Sequence, residues 1–402
     1  MTASEGRRRG ARSADPAGPK GSSRPAVTVV WDPRFRSYDF GPGHPFNEAS
    51  REFAVRLLEG ALTDAQRAAF GWEREVAPAE TPLLLTFHDE AYLAQVRSAS
   101  RSASHRPLDT GDTPSFPGCF EASARIVAGT ERAMRQVLDR GGTAFAPAGG
   151  LHHAHRGRAS GFCIFNDLAV GISSALGAGR RVAYVDLDVH HGDGVMYGFY
   201  RSGRLLDIDF HQDGRTLFPG TGHVAETGEG DGAGLKVNVP LPPGAGDEAL
   251  VPLARRILPP MLREFRPDLL VVQHGVDGHW GDPLAQLQYT PAGYEQVDRL
   301  LIELAPEFGD RTVVTGGGGY HPASVSRTLA RAALQYAGLP LPAERDTLPD
   351  GWREEFFETF GISGPSRWVD PPQLGPSPWT AASEERTVQA LEEALGRKFP
   401  PP

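Results

Sequence analysis

The stretch YVDLDVHHGDG, residues 184–194, sets three carboxylates and two imidazoles between Asp186 and Asp193, directly behind an apolar run. Charged groups crowded against an apolar segment repel one another and lose hydration, so they persist only where a cation or hydrogen-bond donors neutralise them. A divalent metal would do so. In an extended chain Asp186, Asp188 and His190 share one face, while Leu187 and Val189 take the other. Asp188 and His190 then offer an oxygen and a nitrogen, and an open catalytic site needs a third protein ligand plus water. HGVDGHWGDP, residues 274–283, supplies Asp277 and Asp282 as candidates for that third ligand. A mixed His and carboxylate set suits Zn(II) and equally Fe(II), Co(II) or Mn(II). The plain alternative is a loop of solvated acids.

Two further clusters could complete a hydrolytic site. GLHHA places His152 and His153 side by side. An imidazole titrates near neutrality, so it can take a proton from water and return one to a leaving amine, and a carboxylate partner orients its ring. Asp186 and Asp193 are the spare carboxylates, expected to pair with His152 and His153 respectively. GGGGYHP ends a glycine run, where backbone can approach a ligand closely, with the phenol of Tyr320. That hydroxyl could stabilise an oxyanion, or Tyr320 could be a packed aromatic. Phe162 in SGFC and Phe218 in TLFPGTG are core residues or the two walls of a narrow apolar slot.

These clusters share a position relative to the elements that must hold them. Short apolar runs at 26–31, 143–147, 181–189, 204–210, 268–274 and 311–317 read as strands, and segments of helical period lie near 120–138, 166–178, 247–265, 291–308 and 323–337. Such alternation predicts a parallel sheet covered by helices on both faces. Five polar clusters each begin where a strand ends, and in open α/β sheets ligands bind beyond the carboxyl ends of the strands. Residues 1–25, basic and rich in Gly, Ser and Pro, read as a disordered tail. Residues 26–344 read as the catalytic domain and 345–402 as a helical appendage with a last helix near 381–396.

The bulk composition excludes several classes. With 40% hydrophobic and 23% charged residues the chain reads as soluble and globular, and no apolar stretch is long enough to span a bilayer. Two cysteines, Cys119 and Cys163, rule out a disulfide framework or a CxxC zinc site. A net charge of −9 without a recognisable nucleic-acid-binding pattern argues against nucleic acid as partner. With no apolar export segment behind the N-terminal arginines, the expected location is the cytoplasm.

Taken together, YDFGPGHPFN, GLHHAHRGRASGFCIFND, YVDLDVHHGDG, TLFPGTG, GDP and GGGGY resemble, in order, the metal-dependent histone deacetylase superfamily, and most closely its bacterial acetoin-utilisation-type branch. The resemblance implies an arginase/deacetylase-like three-layer α/β/α sandwich with a central, mostly parallel sheet of about eight strands. It implies a zinc-dependent amidohydrolase, with Fe(II) as the alternative ion, that removes an acetyl group from an amine. By motif position Asp188, His190 and Asp282 would be the metal ligands, His152 and His153 the acid–base pair supported by Asp186 and Asp193, and Tyr320 the oxyanion donor. Phe162 and Phe218 would line an acyl-lysine tunnel. Asp112 would grip the substrate backbone at the rim, with Gly161, Gly318 and Tyr289 also on the substrate side. The family commonly carries a structural potassium ion beside the DxDxH segment, near a serine on the next strand; here Asp209 stands at that serine's place.

The leading expectation is deacetylation of N-ε-acetyl-lysine in proteins or peptides. The rival within the same chemistry is an acetylpolyamine or other small acetylated-amine deacetylase, and the rival of another class is a non-catalytic module that binds acetylated ligands. Loss of Tyr320, a histidine or a ligand would signal the last, and all are present.

Overall fold

In the computed structural model, which describes residues 26–102, 106–108 and 111–401, eight strands form one sheet. They are β1 (Val27–Val30), β2 (Phe70–Glu73), β3 (Gly142–Ala146), β4 (Val182–Asp186), β5 (Leu205–Gln212), β6 (Lys236–Leu241), β7 (Leu269–Gln273) and β8 (Arg311–Thr315). The order across the sheet is β2-β1-β3-β8-β7-β4-β5-β6, and every neighbouring pair is parallel. Parallel strands covered on both faces read as continuous apolar runs, and every residue of β4 (VAYVD) and β7 (LLVVQ) is buried.

Helices flank the sheet in two groups. Cys119–Arg140 packs on Asp167–Gly177, while Ala49–Gly60, Pro322–Tyr336, Pro291–Leu304 and Asp247–Phe265 pack in succession. The expected helical segments are all present, shifted by a few residues at most. The chain beyond 345 rests on this body: Trp352, Phe356 and Phe360 enclose Phe53, and Arg256 pairs with Glu385 on the last helix, Ala381–Leu395. The expected basic tail lies outside the described residues.

Two expectations need correction. The strands β2 and β6 were not foreseen, and they are the two edges of the sheet. The alternation argument also fails beyond Asp186, where β4 ends. From there Asp186 Oδ1 accepts the Asp188 N–H (3.0 Å), and Asp188 Oδ1 accepts the His190 N–H (3.1 Å). Consecutive carboxylates capping the backbone two residues on make a tight, turning segment. The turn, and not a flat strand, brings Asp188 and His190 together.

Candidate active site

The loops after β3, β4, β5, β7 and β8 meet beyond the carboxyl ends of the central strands. His152 and His153 follow β3. His152 Nδ1 lies 2.8 Å from Asp186 Oδ2, the oxygen that also accepts the Tyr184 hydroxyl (2.5 Å). His153 Nδ1 lies 2.8 Å from Asp193 Oδ1, and the two Nε2 atoms face each other at 3.0 Å. This is the pairing expected from the sequence. Both rings are buried. Burial opposes charge on His152, yet Asp186 and Asp188 outweigh it and raise its pKa, whereas burial and the charge of His152 push His153 down to about 4. His152 therefore donates through Nε2, and His153 is neutral, with its proton on Nδ1 and a lone pair on Nε2.

The loop that carries the pair is fixed from below. Asn166, wholly buried, donates from Nδ2 to the carbonyls of His152 and Ala154, both at 2.9 Å. Its Oδ1 accepts the Ala169 N–H (2.8 Å) and so caps the helix Asp167–Gly177. Its own N–H donates to His88 Nε2 (3.0 Å).

Donor atoms of Asp188, His190 and Asp277 lie within 4.8 Å of one another, the cluster of metal-ligand type found among the described residues. His190 Nδ1 is 3.2 Å from Asp188 Oδ1 and 3.0 Å from Asp277 Oδ2. Donor atoms around a four-coordinate zinc ion are about 3.3 Å apart, given bonds of roughly 2.0–2.1 Å, so the donor types and spacing fit a divalent ion. Asp188 Oδ2 is oriented by Gln273 Nε2 (2.6 Å) and the Gly318 N–H (2.7 Å). Asp277 is fully buried and also accepts the Val189 N–H (2.8 Å). Asp282 accepts the Leu284 and Tyr320 N–H groups at 2.9 and 2.8 Å. Burial raises its pKa to about 6, against the two backbone N–H groups and, less strongly, His190.

Above this centre opens a cavity of about 230 Å³ lined by Asp112, His153, Phe162, Phe218, Leu284 and Tyr320, among others. Tyr320 stands edge-on to Phe162, and its pKa is raised well above the usual phenol value by burial and then by the nearby carboxylates. It is a neutral donor. Phe218 lies edge-on to His153, 5.0 Å between ring centres. Gly161 adopts φ +53°, and a Cβ there would fall 2.3 Å from the His153 ring. A Cβ on Gly318 would fall 1.9 Å from Asp277 Oδ2. Asp112 accepts the Thr113 hydroxyl through Oδ1 (2.9 Å), and its carbonyl faces His44. Larger clefts exist elsewhere, one of about 680 Å³ beside Pro259 and Pro400, and the described residues that line it include four arginines and no histidine or aspartate.

The histone deacetylase domain model matches residues 44–336. The chain belongs to the histone deacetylase family. It is 34% identical over 381 residues to the acetoin utilization protein AcuC of Bacillus subtilis (strain 168), covering 91% of this chain and 96% of that one. It is 32% identical to histone deacetylase 19 of Arabidopsis thaliana over 86% of this chain and 67% of the relative. Among solved structures, a crystal structure of an HDAC homolog complexed with SAHA superposes with a TM-score of 0.76 at 27% identity, over 92% of this chain and 99% of the other. The chain is thus an amidohydrolase of the deacetylase type. No helix among its described residues is long and apolar enough to cross a membrane.

Within this deacetylase, one expected rim residue is misplaced. Tyr289 is fully buried, edge-on to Tyr294, because its segment pairs with His279 and Gly278 leaves room for its ring. Leu284, five positions earlier, lines the cavity together with Leu217, and neither was foreseen. Asp209 also departs from the expected pattern of a serine beside a potassium ion. Its Oδ1 is 2.7 Å from His211 Nδ1, its Oδ2 accepts the Gly192 N–H (2.7 Å), and His211 Nε2 is 3.0 Å from the Gly222 carbonyl. Both ring nitrogens face acceptors, so His211 is an imidazolium. His211 thus balances, within the polypeptide, the charge that Asp209 adds beside the DxDxH segment.

Proposed function

We propose that this deacetylase hydrolyses the acetyl amide of N-ε-acetyl-lysine in proteins or peptides, with Zn(II), or Fe(II) in its place, held by Asp188, His190 and Asp282. Asp282 is favoured over Asp277 because its hydrogen-bond partners Leu284 and Tyr320 both line the cavity, whereas Asp277 is wholly buried and does not line it. When bound, such an ion supplies a Lewis acid for the amide carbonyl and for water.

The chain's own groups account for the remaining chemistry. Phe162 and Phe218 flank an alkyl chain and keep water from it, and Asp112 accepts a backbone N–H at the rim. Tyr320 donates its hydroxyl to the amide oxygen, where negative charge develops on the way to the tetrahedral intermediate. His153 takes the proton of the attacking water at Nε2, where the lone pair leaves its hydrogen bond with the His152 Nε2–H, and returns that proton to the departing amine nitrogen. His152, charged and held on Asp186, stabilises the negative charge without exchanging its proton. Asp193 keeps the His153 proton on Nδ1.

The observation that carries this reading is the pair of histidines, each on its own buried carboxylate, at the foot of a cavity walled by two phenylalanines. Among the described residues that line the cavity Asp112 is the one carboxylate, and a polyamine's distal cation would call for more. The test is acetate release from an acetyl-lysine peptide and from an acetylated polyamine by metal-depleted protein reloaded with Zn(II) or Fe(II). The peptide should be the faster substrate, and Tyr320→Phe should lower kcat by about 100- to 1000-fold. A faster polyamine would move the assignment to small amines, and acetate from neither would remove it.

A further inference from the structure

We propose that His155 is a positioning residue for His153, acting through the second oxygen of Asp193. The inference rests on the deacetylase reading above and adds a residue to it. Asp193 begins the short helix Asp193–Gly198 and is buried. Its Oδ1 takes the His153 Nδ1–H (2.8 Å) and the Gly194 N–H (2.9 Å), while its Oδ2 takes the Nε2–H of His155 (3.1 Å). His155 lies two positions beyond His153 in a segment that turns back on itself through the pairing of His155 with Arg158. The turn at His152–His153 and the bridge at His155 bring both rings to the same carboxylate.

The chemical consequence follows from Asp193 having two oxygens. A carboxylate that accepts on both cannot rotate about its Cβ–Cγ bond, and a donor on the far oxygen draws charge from the near one. Asp193 then holds the His153 proton by a hydrogen bond without removing it, and the lone pair stays on Nε2, where it takes the proton of the attacking water. Without His155, Oδ2 would be a buried charged acceptor lacking its donor, a state proteins avoid by moving the group or its proton. The His155 side chain is 20% exposed and that of His153 6%, so His155 is the more accessible of the two donors to Asp193.

The experiment uses the full-length, zinc-loaded protein and an acetyl-lysine peptide. His155→Ala should lower kcat by about 10- to 100-fold, the range for a partner that orients a functional group from behind, with KM and zinc content unchanged and the melting temperature lowered by only about 1–4 °C for the acceptor left without its donor. His155→Gln, which keeps an N–H donor at the same reach, should recover most of the loss. In an Asp193→Asn background His155→Ala should add nothing further. An unchanged kcat in His155→Ala, or a full additional loss in the Asp193→Asn background, would overturn the proposal. The imidazole N–H proton resonances give a readout independent of turnover. The His153 Nδ1–H signal should shift or broaden in His155→Ala and return in His155→Gln. If wild-type protein releases no acetate but this signal responds, the deacetylase reading fails and the positioning role stands; if the signal does not respond, the positioning role fails.

Discussion

Asn166 joins the most functions with the fewest atoms, and replacing it has a calculable cost. In Asn166→Ala the helix Asp167–Gly177 loses its cap, worth about 1 kcal/mol. The carbonyls of His152 and Ala154, both in buried residues, lose their donor, and each costs about 1–3 kcal/mol when left without one. The total is about 3–7 kcal/mol, a large part of the ~5–15 kcal/mol that holds a typical protein folded. With an unfolding entropy near 2.1 cal/mol/K per residue, a chain this long has a transition entropy of roughly 0.8 kcal/mol/K, so the melting temperature should fall by about 4–9 °C. Asn166→Ser keeps an oxygen for the Ala169 N–H but cannot reach both carbonyls, so it should recover only the ~1 kcal/mol of the cap. Calorimetry on the three proteins separates the two contributions. If Asn166→Ser melts with the wild type, the two carbonyls do not depend on Asn166 for their donor, and the account of how the histidine loop is held is wrong.

Other consequences can be checked as directly. Burial lowers the pKa of His88 to about 4, and its Nε2 must stay unprotonated to accept the Asn166 N–H. The unfolded chain takes up this proton below about pH 6.5, so the contribution of His88 is complete above that pH and is lost as pH falls towards 4. Urea titrations should show wild type losing about 2 kcal/mol more than His88→Gln between pH 7 and pH 5, and equal losses would refute the shift. Asp282→Asn should weaken zinc binding more than Asp277→Asn in a competition titration with a chelator, and the reverse order would reassign the third ligand. Gly161→Ala should cut kcat while zinc is retained, since its Cβ meets the His153 ring, whereas Gly318→Ala should lower zinc content, since its Cβ meets Asp277.

The sequence made the centre of the sheet legible and its edges much less so. The interior strands announce themselves by apolar continuity, but β6 (KVNVPL) carries Lys236 and Asn238 in buried positions. Lys236 is tolerated there because its Nζ donates to the Leu205 carbonyl (2.7 Å) and its register partner is Asp207, facts that exist only after β5 and β6 have met. β2 (FGWE) is four residues long and offers no pattern to read. Within the site, the pairing of His152 with Asp186 and of His153 with Asp193 followed from residue type, because few carboxylates were available. The turn at Asp186–His190 did not, since side chains capping their own backbone override the alternation of a strand. Tyr289 was misjudged because nothing local distinguishes a rim aromatic from a buried one; the cue was Gly278, eleven positions earlier, which makes space for it. His155 was visible as the third histidine of HHAH, but a histidine already beside a pair carries no signal until its partner oxygen is known.

The Asp209–His211 pair bears on how this deacetylase meets its surroundings. A bound monovalent ion is a guest: its occupancy follows the composition of the medium, and the field at Asp186, the register partner of Asp209, would follow with it. A counter-charge built into the polypeptide arrives with synthesis and cannot be diluted, exchanged or outcompeted. The protein therefore carries part of its ionic environment inside, and its turnover and melting temperature should be alike in potassium, sodium and choline salts of equal strength. Asp209→Ser would remove that independence and leave the catalytic centre answerable to whichever cation the solution provides.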